Sequence, residues 1–233
     1  MNQLSLNLVA IGIFTITMTS LLGPLINISP LVPTIATAGV LGLATLDTLS
    51  WRGQGSTLLL DWLAGFSAGH RDRVIRHEAG HFLVAHQLGI PTTGYTLNAW
   101  DALRQGYPGQ GGVRFDSAEL EAATKQGRLS GQLLDLYCTI WMAGIAAEKL
   151  IYGNVEGGAD DRQKLRGLLA QLGLPPAERE QKERWSLLRA KTLLEAQISA
   201  YEALMTAMTQ GASVEVCNEA IIQNSLQPIS KDR

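Results

Sequence analysis

The first 46 residues of the chain contain no Asp, Glu, Lys, Arg or His; the first charge is Asp47. An uncharged stretch of that length restricts its surroundings to lipid or to protein. Leu4 to Leu22 would form a helix of about 28 Å, close to the ~30 Å thickness of a hydrocarbon core. Gly23-Pro24 ends or kinks it. A second apolar run, Leu31 to Leu46, is short for a span unless Thr48 to Trp51 prolong it, which brings Asp47 near the interface. The expectation is a membrane-anchor helical hairpin over residues 1–50. A single span with an interfacial second helix, and two helices buried in a soluble assembly, are the other arrangements the pattern allows. No cation precedes the apolar stretch, which argues against a cleaved secretory signal. Arg52, Arg71, Arg73 and Arg76 follow it, and the positive-inside rule then puts the remainder on the cytoplasmic side.

The 233 residues suffice for this anchor, a linker over 51–69 and one domain over 70–227. A net charge of −2 and the lack of a basic run argue against a nucleic-acid partner. Helical patterns dominate. Thr93 to Trp100 and Gly112 to Phe115 read as strands, with the turn-rich loop Gln105 to Gly111 between them. Leu129 to Tyr152 reads as a long apolar helix; Asp135, Glu148 and Lys149 argue against a third span. Gly173-Leu174-Pro175-Pro176 separates two further helices. The second is expected to run through Leu187, Leu194, Ile198, Tyr201, Met205 and Met208, a stripe suited to core or subunit contact. Val214 to Ile222 adds a closing helix, and the tail 228–233 reads as disordered. The fold class expected is mainly α with a small β element.

One helix carries chemistry. Asp72 can cap its start, and Gly89 and Pro91 mark its end. Within it lies His77-Glu78-Ala79-Gly80-His81, an HExxH pattern. At 3.6 residues per turn, His81 falls within about 40° of His77 and one turn along. Both imidazoles can reach one metal ion, and Glu78 can touch a water beside it; this donor set suits a catalytic zinc. Ala79 and Gly80 are small enough to let another backbone approach closely. His86 faces away from both histidines, and His70 reads as a surface or capping residue.

A third protein ligand is needed. Cys138 and Cys217 have no metal-ligand spacing, and Cys138 lies in an apolar run that reads as buried. The ligand is therefore expected to be a carboxylate in the stretch Gly153-Asn154-Val155-Glu156-Gly157-Gly158-Ala159-Asp160-Asp161, where Asp160 or Asp161 could instead merely cap a helix starting near Arg162. Glu148 suits either an outer carboxylate that orients a ligating His or a salt bridge.

The pattern His77-Glu78-Ala79-Gly80-His81 followed by Val84-Ala85 resembles the metal helix of FtsH-type zinc metalloproteases. Met142-Ala143-Gly144-Ile145-Ala146-Ala147-Glu148-Lys149-Leu150-Ile151-Tyr152-Gly153 is similar to that family's AGRAAE helix, and Gly157 to Asp161 to its GAxxD loop. The resemblance covers roughly residues 70–210. It implies an FtsH-like, zincin-type metalloprotease domain with zinc on His77, His81 and Asp161 and Glu78 as general base. It also implies cleavage of unfolded or loosened polypeptides.

The departures are informative. The 69 residues before the match are too few for the family's ATP-driven unfoldase, and no GxxxxGK[ST] loop is present, so no use of ATP is expected. Ile145 stands where the family has arginine, and Gly158 where it has alanine. The resemblance therefore implies a stand-alone, membrane-anchored endopeptidase of the type found in cyanobacteria and chloroplasts, in a cytoplasmic, thylakoid or chloroplast membrane, with its catalytic domain on the cytoplasmic or stromal side. Membrane lipid, a polypeptide substrate and a homo-oligomer or FtsH-like complex are its expected partners. A pseudo-protease or assembly factor, or a non-catalytic subunit of a larger complex, are the alternatives; an exposed Leu187–Met208 stripe would favour the last.

Overall fold

A computed structural model describes residues 3–51, 55, 68–104, 106 and 111–225. Most of the expected linker, most of the 105–111 loop and the C-terminal tail lie outside the described residues. The chain forms two compact units, Met1–Ala68 with Asn98–Gly111, and Gly69–Leu97 with Gly112–Arg233.

In the N-terminal unit, α1 spans Gln3–Leu22 and α2 spans Leu31–Trp51. Pro24 lies in a short 3-10 turn, Gly23–Ile26, which closes on Asn27 in the left-handed region, φ 60°. The second helix continues through Asp47 to Trp51, the longer of the two lengths the sequence allowed. Asp47 accepts a hydrogen bond from the Gly55 amide at 2.8 Å. Two windows, Val9–Ile26 and Leu31–Ser50, are long and apolar enough to cross a membrane by length and composition. Side chains such as Ile11, Phe14, Leu21 and Leu43 are exposed. The other segment of this unit holds a short helix, α4, at Ala99–Arg104.

That helix corrects an expectation, because the strand expected over 93–100 ends at Thr96. Asn98 Oδ1 accepts from the Asp101 amide at 2.8 Å, and Asn98 Nδ2 donates to Asp101 Oδ2 at 2.7 Å. This reciprocal cap starts a helix where period-two alternation suggested extended chain.

The second unit is built around two helices, α3 at Ala68–Gln87 and α6 at Gly131–Tyr152. Helix α3 already includes Ala68, so Asp72 lies inside it rather than capping it. Asp72 instead accepts hydrogen bonds from Arg76 Nε at 2.8 Å and from the Tyr152 hydroxyl. Ser130 Oγ caps α6 by accepting from the Leu133 amide at 3.1 Å. The two helices approach closely at Gly80, where an added Cβ would lie 2.7 Å from the Ala143 carbonyl oxygen. Ile75, Ala79, Phe82 and Leu83 of α3 form one core with Ile140, Ala143 and Ala147 of α6.

Around this pair stand α5 (Ala118–Lys125), α7 (Ala159–Gln171), α8 (Pro176–Ala196), α9 (Ile198–Thr209) and α10 (Val214–Asn224). The expected continuous helix through Met208 is divided at Gln197, whose φ −131° and ψ 37° lie outside the helical region. Gln197 N still reaches Leu194 O at 3.1 Å, and Gln197 O starts the next helix by accepting from Tyr201 N at 2.9 Å. On either side of this break Leu194, Ala200, Tyr201 and Leu204 all lie in the core. The stripe is therefore mainly core, with Ile198 its exposed member. Cys138 is fully buried with Met142, Ile145, Leu165 and Leu169 between α6 and α7.

Strands β1 (Thr92–Thr96) and β2 (Gly112–Phe115) pair antiparallel, with Tyr95 opposite Val113 and an irregularity between Thr92 and Gly94.

Candidate metal centre

Helical spacing places His77 and His81 on one face of α3, and both are nearly buried, at 8% and 5% exposure. Their ring centroids are 4.8 Å apart. Asp161, in the first turn of α7, comes to them from 80 residues further along the chain. Its Oδ2 lies 3.1 Å from His77 Nε2 and 3.3 Å from His81 Nε2. A tetrahedral zinc with bonds near 2.0 Å separates its ligand atoms by about 3.3 Å. One ligand atom from each of the three residues lies within 4.8 Å of the others.

The remaining ring nitrogens are already committed. His77 Nδ1 is 2.7 Å from Glu148 Oε1, and His81 Nδ1 is 2.7 Å from the carbonyl oxygen of Ile140. Each acceptor holds a proton on Nδ1, which leaves the Nε2 lone pairs directed at the shared space. Nearly buried, convergent and otherwise uncommitted, these donors fit a metal ion. Asp160, the other candidate third ligand, is exposed and outside the group. His86 Nδ1 pairs with Asn218 Oδ1 at 3.0 Å, and His70 lies in the first turn of α3.

Glu148 is buried, contacts His77 Nδ1 and forms a salt bridge with Arg73. Besides His77, it takes a hydrogen bond from Arg73 at 3.0 Å and from the Glu156 and Gly157 amides at 2.8 and 3.1 Å. Arg73 also reaches Asn154 and Glu156 and lies over the Tyr152 ring at 4.1 Å. Arg73 and Glu148 thus fix the 153–157 loop that delivers Asp161.

The charges follow from these contacts. Burial opposes ionisation of Glu148, but His77, the Glu156 amide and Arg73 outweigh it and hold its pKa at about 2. Asp161 is likewise opposed by burial, yet the two histidines keep it well below the ordinary carboxylate range. Burial also opposes charge on His77. Asp161 and Glu148 outweigh it, helped by the nearby Glu78, and raise its pKa to about 10.

Three supporting groups were not legible as such in the sequence. Gly144 faces the site, and an added Cβ would stand 2.3 Å from His77 Nε2 and 2.6 Å from His81 Nε2. The Ile140 carbonyl is an unmarked backbone group in a helix. The Val113 amide donates to Glu78 Oε2 at 2.8 Å, tying the expected general base to β2. The two departures from the FtsH pattern meet each other: Gly158 has φ +78°, and a Cβ there would lie 2.2 Å from Ile145 Cγ1.

Compared with known protein families and with curated proteins, the chain matches none.

Proposed function

We propose that this chain is a membrane-anchored zinc metalloendopeptidase of FtsH-like type that acts on unfolded or loosened polypeptides without ATP. The observation that carries the reading is the meeting of two histidine Nε2 atoms and Asp161 Oδ2, with Glu78 next to the first histidine. A structural metal site would not need that carboxylate. Three protein ligands would leave a bound zinc room for water or substrate, as catalytic zinc sites do.

His77, His81 and Asp161 would hold the zinc, which when bound supplies Lewis acidity towards water and the scissile carbonyl. Glu78 accepts the proton of the attacking water and passes it to the leaving amine. Glu148 and the Ile140 carbonyl keep the two rings in the required tautomer. The substrate lies extended beside β2, pairing backbone to backbone. The apolar hairpin anchors the chain in a membrane, and the arginines that follow it put the catalytic unit on the cytoplasmic or stromal side. The alternative of a non-catalytic subunit loses its main support, since Leu194, Tyr201 and Met208 are fully buried.

The test is casein turnover by the purified chain in detergent. Activity is expected with zinc, is lost with a chelator and in Glu78→Gln, and is unchanged by ATP. Zinc binding without turnover would instead identify a pseudo-protease or assembly factor; ATP-dependent turnover would remove the ATP-independent part of the reading.

A further inference from the structure

Val113 is where the sheet meets the candidate site. In an antiparallel pair, successive residues turn their amides to alternate edges. Asp116 N donates to Pro91 O at 2.9 Å, on the β1 side. The irregularity in the pair lies on β1, so the alternation along β2 is unbroken. The amides of Val113 and Phe115 therefore face the edge away from β1, and among the described residues no third strand covers it. That edge runs past the histidines, with the Phe115 ring centroid 6.4 Å from that of His81. Yet its Val113 amide is already engaged by Glu78 Oε2.

We propose that this contact is a latch which substrate opens. An extended polypeptide pairing along the open edge of β2 gives one of its carbonyl oxygens to the Val113 N–H, and Glu78 Oε2 is released towards the reacting water. One N–H makes one strong, well-aligned hydrogen bond, so the two acceptors exclude each other. The inference rests on the peptidase reading and narrows its substrate class. Chains long enough to lie along β2 unlatch the site, and short amides do not. Val113 is in this sense a positioning residue, acting through Glu78.

Two measurements on the full-length, zinc-loaded chain in detergent test it. The first follows the Val113 amide resonance in wild type and in Glu78→Ala. The two proteins should differ there at rest and converge when saturated with an extended reduced-amide peptide that cannot be cleaved. A wild-type resonance that does not move on saturation overturns the latch, as does failure of the peptide to bind. The second uses Val113→Pro, which removes the donor; because that N–H lies outside the ladder, an edge strand tolerates the change. Hydrolysis of a capped dipeptide amide should rise about tenfold, the scale of one charge-assisted hydrogen bond. Casein turnover should fall with a raised KM. A fall in dipeptide hydrolysis would mean the amide supports Glu78 rather than restraining it, and the latch would be wrong. Convergence without any turnover keeps the latch and removes the peptidase reading; turnover without convergence removes the latch alone.

Discussion

His77 touches two carboxylates, Glu148 through Nδ1 and Asp161 through Nε2, and this dictates how the site answers to pH. Its pKa is raised in the metal-free fold, so its charge contributes stability that is fully present below about 6.5 and is lost as pH rises through about 10. Metal binding runs the other way. An ion held by Nε2 would displace the proton, so zinc affinity should climb about tenfold per pH unit up to that value. Calorimetry in buffers of different ionisation enthalpy counts the protons; no proton released at neutral pH would contradict the assignment. Asp161→Ala should abolish stoichiometric zinc, whereas Asp160→Ala should leave it near one per chain, read by metal analysis of the purified variants. Equal losses would mean that the carboxylates exchange roles. The His77, Glu78 and His81 arrangement was legible because helical spacing is local. Asp161 was not fixed by spacing, since both aspartates fit a helix start; the glycine register of the resemblance selected it. Val113 and the Ile140 carbonyl contribute backbone atoms, which no side-chain pattern can mark.

At the scale of elements, the site is a product of how closely α3 and α6 pack. Gly80 lets the backbones meet, and Gly144 on the facing helix leaves the space into which both ring Nε2 atoms project. Overpacking of a tight interface costs about 1–3 kcal/mol. Gly144→Ala should therefore lower stability by that order and, more tellingly, eliminate zinc binding, because the new methyl falls on both Nε2 atoms. Retained zinc at wild-type affinity would show that the helices can separate. Glu148→Gln should weaken zinc binding by about 10–100-fold without removing it, as loss of an outer carboxylate does; an unchanged affinity would reduce Glu148 to its bond with Arg73. The small residues of α3 announced a close approach in the sequence, and the apolar run Leu129 to Tyr152 was the expected partner that the structure supplies. The division at Gln197 left no trace in the sequence, for no Gly or Pro marks it. The misread strand at 97–100 did leave one: Asn98 and Asp101 have capping-box spacing, which the alternation of Thr93 to Leu97 obscured.

On the scale of the whole molecule, the two units make opposite demands on solvent. Ile11, Phe14, Leu21, Leu41 and Leu43 are exposed in the N-terminal unit, whereas the second unit encloses its own cores and carries His77, His81, Glu148 and Asp161. Transfer of a large side chain out of water stabilises by about 1.5–3 kcal/mol each, so this many exposed aliphatic groups demand a cover. Hydrocarbon would supply it without leaving a backbone group unsatisfied, because each helix pairs its own amides and carbonyls. Full-length protein should accordingly sediment with membranes and resist carbonate washing. Deleting residues 1–50 should release a soluble chain that still binds one zinc, as every ligand lies beyond Arg76. A protease added to the non-cytoplasmic face should leave the second unit intact if the arginines after the hairpin set the orientation. Cleavage there would reverse the topology while leaving the anchor in place. Recovery of the full-length chain in solution without detergent would mean that protein rather than lipid covers the two helices, and the anchor reading would give way to a soluble assembly.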